Sequence, residues 1–385
     1  LAASMDIPRA AYNFRFFAGA LLHHDEQATR LDGETFNYVA RRPIGVAGLI
    51  SPWNLPLYLL TWKIAPAIAF GNTCVAKPSE LTSLTAFMLG EILRDAGVPK
   101  GVVNLVFGTG TKAGAALVAH PGVPLVSFTG GTVTGRAIAS VAAPRFKKLS
   151  LELGGKNPNL IFDDCDFEKA LETTIRSSFL NQGEICLCGS RIYVQKSIYE
   201  KFLDRFVART KEIRVGDPKS KDSFMGALVS KEHHEKVMGF LDHARSENLK
   251  FLAGGKRPDL PAPFSKGYFV EPTIVTGAKP QSRLQQEEIF GPVVTVTPFT
   301  DEDEAIELAN GVSYGLSATV WTQSLKRTHS VSERLEAGTV WVNTWMTRDL
   351  RVPFGGVKAS GVGREGQDAS LDFFTEAKTI CVRHS

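Results

Sequence analysis

A thiol, a carboxylate and a carboxamide stand along this sequence where an acyl-transfer site would need them. Cys186 lies in NQGEICLCGSR, a glycine-containing turn after a predicted helix, where backbone amides and a helix end can favour a nucleophilic thiolate. Glu152 ends the apolar run LSLELGGK, where a carboxylate is rarely placed unless it is used; it is the candidate base. Asn54 in SPWN follows another apolar run and offers an N–H donor to an oxyanion. Nucleophile, water-activating base and oxyanion donor form one coherent set. Two other readings stay open on these residues alone. Cys186 can be a buried structural cysteine. The Cys186-x-Cys188 spacing can suggest a metal, but no histidine is close in sequence, and the pairs His23/His24 and His233/His234 lack ligand spacing, so no metal is expected.

Two glycine-rich turns are candidates for phosphate. GTGTKAG (108–114) is one residue too long for G-x-G-x-x-G and reads first as a strand-to-helix turn. FTGGTVTG (128–135) follows a strand and precedes a helix, so Gly130, Gly131 and the Thr132 amide can face a pyrophosphate; a plain tight turn is the equal alternative. In KPSE, Lys77 and Glu80 end another strand and can bond ribose hydroxyls, or form a solvated loop pair.

Short apolar runs alternating with helical patterns must position these residues. Strands are expected at 44–50, 73–77, 102–107, 124–130 and 147–155, then at 159–162, 191–195, 269–276, 293–299, 317–322 and 338–343, with helices between them and a terminal strand in FFTEAKTICVRHS. Such strands form parallel sheets covered on both faces, with ligands in the loops at the strands' carboxyl ends. The 385 residues suit two or three domains and a large core. Composition is that of an ordinary globular chain: 43% hydrophobic and 22% charged. Forty-four basic residues against forty acidic ones leave +4, with no block of five like charges, so neither nucleic acid nor a membrane is an expected partner. The longest apolar stretch, 55–70, is interrupted by Lys63 and Pro66 and is too short to span a bilayer. No leader pattern opens the chain. Five cysteines, an odd number, argue for a reducing, cytoplasmic compartment.

SPWN, KPSE, FTGG-T, ELGGK, NQGEIC, EEIFGPV and PFGGVKASGVGREG occur in an order and spacing that resembles the aldehyde dehydrogenase superfamily, over about residues 35–380. The 34-residue interval from Glu152 to Cys186 is part of that resemblance. It implies an α/β fold with two parallel-sheet, Rossmann-like domains and a small oligomerisation arm. Residues 1–28 and 44–154 would bind NAD, 155–365 would be catalytic, and 29–43 with 366–385 would form the arm of a homodimer or homotetramer. It implies that Cys186 attacks an aldehyde carbon, that Asn54 and the Cys186 N–H hold the oxyanion, that hydride passes to NAD, and that Glu152 activates the water that hydrolyses the thioester. Trp53, Lys77, Glu80, Thr129, Gly130, Gly131, Gly135, Glu288 and Phe290 match cofactor-binding positions. Glu80 would repel a 2′-phosphate and so favour NAD over NADP.

Three departures stand out. Gly131 replaces a common serine. Glu184 replaces a common glutamine and adds negative charge near the thiol, which would oppose thiolate formation if unpaired. Family chains also carry a longer segment before the point matching Leu1, so this chain reads as one lacking its first part, with an inactive binding subunit as the alternative from another class. Within the family, NTW-x-x-RDLR-x-PFGG resembles the muconate semialdehyde dehydrogenases of aromatic-ring and tryptophan catabolism. Arg348 and Arg9 would then clamp a substrate carboxylate, with Arg351 as the backup. Betaine- and retinal-type aldehydes are the alternative substrates.

Overall fold

The apolar runs become the strands of two largely parallel sheets. The computed structural model describes residues 1–384, and the chain divides into two units: Leu1–Glu152 with Asp349–Gly355 and Gly361–Ser385, and Leu153–Arg348 with Gly356–Ser360.

In the first unit a six-stranded sheet has the order Gly361–Val362, Lys148–Glu152, Leu125–Thr129, Val46–Ile50, Thr73–Lys77, Val103–Leu105. All neighbours are parallel except the edge strand Gly361–Val362. The helix Pro56–Ala69 covers one face, burying Leu60, Trp62 and Ile64 with Ala47, Leu49 and Ala76 of the strands. It runs on through Pro66, where one helical N–H is missing. A second, antiparallel sheet joins Ala28–Leu31, Thr35–Pro43 and Thr375–Arg383, the last pair in register from Thr375↔Pro43 to Arg383↔Thr35.

The chain's end is not all strand. Gln367–Phe374 is a helix, because Leu371 and Phe374 lie one turn apart and bury in the same cluster as Trp62; the strand starts only at Thr375.

In the second unit seven strands have the order Lys250–Ala253, Thr273–Thr276, Val293–Phe299, Arg191–Gln195, Pro158–Ile161, Ser317–Trp321, Thr339–Val342, parallel except for the first pair. Separate apolar clusters form around it, one on Phe179, Phe202 and Phe206, another on Leu160, Phe162 and Phe299. The strand expected at 269–276 is shorter, starting at Thr273, just after a proline that has no N–H for a ladder. Among the described residues, no helix is long and apolar enough to cross a membrane.

Candidate active site

The first unit gathers its candidates at the carboxyl ends of the six-stranded sheet. Ile50 pairs with Lys77 on one side and Phe128 on the other, and Thr129 pairs with Glu152. The turn carrying Trp53 and Asn54, the KPSE turn, the 129–135 turn and Glu152 therefore leave one edge, on both sides of the strand where the order reverses. Asn54, Thr129 and Glu152 are buried and Trp53 is half-buried.

Glu152 is held between two strands. Its neighbour Gly361 pairs antiparallel with it at a φ of +148°, and a Cβ there would run into the Leu151 carbonyl. That close approach accounts for the glycine in the SGVGREG segment. Further along that segment Glu365 accepts from Lys63 Nζ at 2.8 Å and from the Trp62 indole at 2.5 Å, fixing the helix Pro56–Ala69 from beneath.

The early helix Ile7–Leu22 is anchored to the same place. Asp6 accepts from the Tyr58 N–H at 2.9 Å and from the Leu57 N–H at 3.3 Å, capping the helix that begins just after Asn54. Asn13 donates to the Tyr58 carbonyl at 3.1 Å. Arg9 is half-buried and lies at helical spacing between Asp6 and Asn13, so it shares their face.

The residues expected to hold a dinucleotide lie at this edge. Lys77 is 2% exposed, and its Nζ reaches the Pro78 carbonyl at 3.0 Å and Glu80 Oε2 at 3.2 Å. The helix Thr132–Ala142 starts at Gly131 with no side-chain cap, and its N-terminus follows the glycine turn. Thr129 Oγ1 is buried with no hydrogen-bond partner among the described residues. Gly130 can carry no Cβ without striking the Phe128 ring, and Gly135 is buried inside the helix. GTGTKAG instead packs Gly114 against the Lys77 stem.

In the second unit the candidate residues lie at the amino ends of the sheet, where the carboxyl-end rule does not direct attention. Cys186 precedes Arg191–Gln195, Asn157 precedes Pro158–Ile161, and Phe290 precedes Val293–Phe299. Asn181, Gln182 and Gly183 all have left-handed φ, of 52°, 55° and 71°. That run ends the preceding helix abruptly, and a Cβ at Gly183 would meet the Gly291 carbonyl. The turn 185–188 follows, closed by Cys188 N–H on the Ile185 carbonyl at 3.0 Å, and Cys186 is half-buried at its second position.

A recess of about 20 Å³ is lined by Cys186, Gly155, Glu288 and Phe290. Glu288 Oε1 accepts from the Gly155 N–H at 2.8 Å, and burial raises its carboxyl above the usual range. Phe290 has a φ of +59°, an uncommon conformation for a bulky residue. Its carbonyl lies 2.6 Å from His233 Nε2. His233 has no signal in the sequence beyond a His-His pair without ligand spacing.

Burial changes what Glu184 does. It is 3% exposed, accepts from the Val229 N–H at 3.2 Å, and lies 3.6 Å from His233 Nε2. Burial pushes its carboxyl up to about 8 and His233 down to about 4, so both are mainly neutral at pH 7. The negative charge expected beside the thiol is largely absent there. The folded carboxyl binds its proton more tightly than the unfolded one, so its contribution to stability is lost as pH rises through about 8. Thermal unfolding of Glu184→Gln should therefore show a Tm advantage over the parent that widens from about pH 5 to 8 and then levels off. A pH-independent difference would contradict this.

The other thiols are poor competitors. Burial pushes Cys74 and Cys188 up to about 12 and Cys165 to about 11. Cys381 is exposed on the terminal strand. No group of three or more His, Cys, Asp and Glu residues among the described residues could hold a metal ion.

Arg348 is half-buried, with Nε and Nη2 shielded from solvent. Arg351 is exposed, and its guanidinium is committed to Asp349, with Nε at 3.0 Å from both carboxylate oxygens. That pairing holds the Asp349 carboxyl at about 2.

The first unit thus offers a glycine turn at a sheet edge and a glutamate at a strand end, and the second a cysteine turn. A family model, "Aldehyde dehydrogenase family", matches residues 1–380, and the chain belongs to that family: it is an oxidoreductase acting on aldehydes. It is 57% identical over 386 residues to the 2-aminomuconic semialdehyde dehydrogenase of Danio rerio, covering 100% of this chain and 79% of that one. It is 48% identical over 388 residues to the 2-aminomuconic 6-semialdehyde dehydrogenase of Pseudomonas sp, again over 100% of this chain and 79% of the relative. The NAD+ complex of an aldehyde dehydrogenase from Bacillus cereus superposes with a TM-score of 0.96 at 41% identity, over 100% of this chain and 77% of that structure.

Proposed function

We propose that this enzyme oxidises 2-aminomuconate 6-semialdehyde, or a closely similar carboxylated semialdehyde, to the acid with NAD. The observation that carries the substrate is Arg348, whose Nε and Nη2 are shielded from solvent on the loop that also sends Trp345 onto the nucleophile turn. A shielded guanidinium is suited to a bidentate carboxylate and ill suited to an uncharged tail. The names of the relatives from Danio rerio and Pseudomonas sp support the same reading. Arg9 is the second clamp residue.

Cys186 adds to the aldehyde carbon, and the oxyanion is held by Asn54 and the Cys186 N–H. When bound, NAD supplies the hydride acceptor. Glu152 takes the proton from the water that cleaves the thioester, which releases the acid and restores the thiol. Lys77 and Glu80 hold the adenosine ribose, the 129–135 turn the pyrophosphate, and Glu288 and Phe290 the nicotinamide end. The protein works in a reducing cytoplasm as a homodimer or homotetramer, joined through 29–43 and 366–385, within tryptophan-type ring catabolism.

The test of substrate is kcat/KM across carboxylated muconate semialdehydes and uncharged aldehydes of similar length. Preference for the uncharged series would overturn the assignment. The cofactor turn has its own test. A Cβ at Gly131 meets nothing within 4 Å, and its φ of −72° suits a helix cap. Gly131→Ser adds a capping hydroxyl at the pyrophosphate turn and should lower KM for NAD by roughly 2- to 5-fold with kcat little changed.

A further inference from the structure

Every carbonyl of the turn that carries Cys186 is bonded. The Ile185 carbonyl accepts from the Cys188 N–H at 3.0 Å. The Asn157 carboxamide donates to the Cys186 carbonyl at 2.7 Å and to the Cys188 carbonyl at 2.9 Å. The Trp345 indole donates to the Leu187 carbonyl at 2.8 Å. Asn157 is 3% exposed and Trp345 8%.

The orientation of the Asn157 amide is fixed from both ends. Its Oδ1 accepts from the Ser317 N–H at 3.1 Å, so a flipped amide would set N–H against N–H and oxygen against two carbonyls. Gly155 closes the other side: a Cβ there would meet Asn157 Oδ1 at 2.8 Å and the Cys186 carbonyl at 2.9 Å. A planar peptide whose carbonyl is pinned has its plane pinned. A Cys186 carbonyl bonded to Asn157 is also held from swinging toward the sulfur, where its negative end would oppose a thiolate.

We propose that Asn157, with Trp345 acting from a second direction, is a positioning residue that holds the Cys186 turn in its reactive conformation. This rests on Cys186 being the nucleophile. Trp345 stands three residues before Arg348, so its indole also ties the proposed recognition loop to the same turn.

The informative variants are Asn157→Asp and Trp345→Phe in the full chain. Asn157→Asp keeps the shape and the acceptor for Ser317 but turns an oxygen toward two carbonyls. Trp345→Phe keeps an aromatic ring and loses the donor. Three quantities are read: kcat and KM with an uncharged aldehyde, the alkylation rate of Cys186 by iodoacetamide across pH (followed on its own peptide by mass spectrometry), and Tm. Asn157→Asp should lower kcat by about 10- to 100-fold with KM within about threefold, since small misplacements of a reacting group have effects of this order. Its alkylation should slow by at least about fivefold, with the pH profile displaced upward. Trp345→Phe should lose about 3- to 10-fold in kcat.

Unchanged alkylation and kcat in the folded variants, within twofold, overturns the proposal. So does a fall in kcat with no change in the alkylation profile. Should Asn157→Asp fail to fold, Trp345→Phe decides by the same two measurements. Cys186→Ser separates the underlying reading: activity retained there removes the nucleophile itself, whereas a dead Cys186→Ser beside an unaffected Asn157→Asp removes only the positioning role.

Discussion

Cys186→Ala is expected to abolish NADH formation from every aldehyde, a loss on the order of 10⁴-fold or more in kcat, because removing the nucleophile of a covalent route removes the route. The neighbouring thiols cannot stand in: burial pushes Cys188 and Cys74 up to about 12, so both are thiols throughout the working range. Glu152→Gln should fail differently. If Glu152 is the base for hydrolysis, the first oxidation still runs, and a stopped-flow trace should show about one NADH per active site followed by a stall. Mass spectrometry of the stalled enzyme should then find the acyl group on the Cys186 peptide. A Glu152→Gln variant with no burst would place the carboxylate before hydride transfer instead, in activating the thiol. One that turns over at the parent's rate would remove it from the chemistry altogether.

The parts of this site that were legible in the sequence are those whose signal is local. Apolar runs such as VVTVTPF and TCVAK become strands because a buried parallel strand needs apolar residues on both faces. Gly131 is read as the start of a helix because strand, glycines and helix follow one another in sequence. Asn157 is illegible by the same logic. It lies 29 residues from Cys186, and only the packing of two strand-entry loops brings its amide to that carbonyl. The left-handed run through Asn181 and Gln182 is equally hidden, since neither residue type demands it, and the approach that keeps Gly183 a glycine is to Gly291, far along the chain. Glu184 shows the limit on charge: a sequence records a carboxylate, and only burial reveals that it holds its proton near neutral pH.

The second large effect is on selectivity. Arg348→Ala should lower kcat/KM for a carboxylated semialdehyde by about 10²-fold while leaving an uncharged aldehyde of similar length within about threefold, since a charge-assisted bidentate pair contributes roughly 1.5–3 kcal/mol. Arg348→Lys should recover only part of the loss, because an ammonium cannot reproduce the planar fork. Arg351→Ala serves as the nearby control: its guanidinium is exposed and bonded to Asp349, so its removal should change neither substrate by more than about twofold. Arg9→Ala should show a smaller loss confined to the carboxylated substrate. If both arginines hold one carboxylate, the double variant should lose less than the product of the two single losses. Strict additivity would separate Arg9 from the clamp. Equal losses on charged and uncharged aldehydes in Arg348→Ala would show that the residue shapes the loop rather than reads the substrate, and the carboxylated-semialdehyde assignment would fall with it.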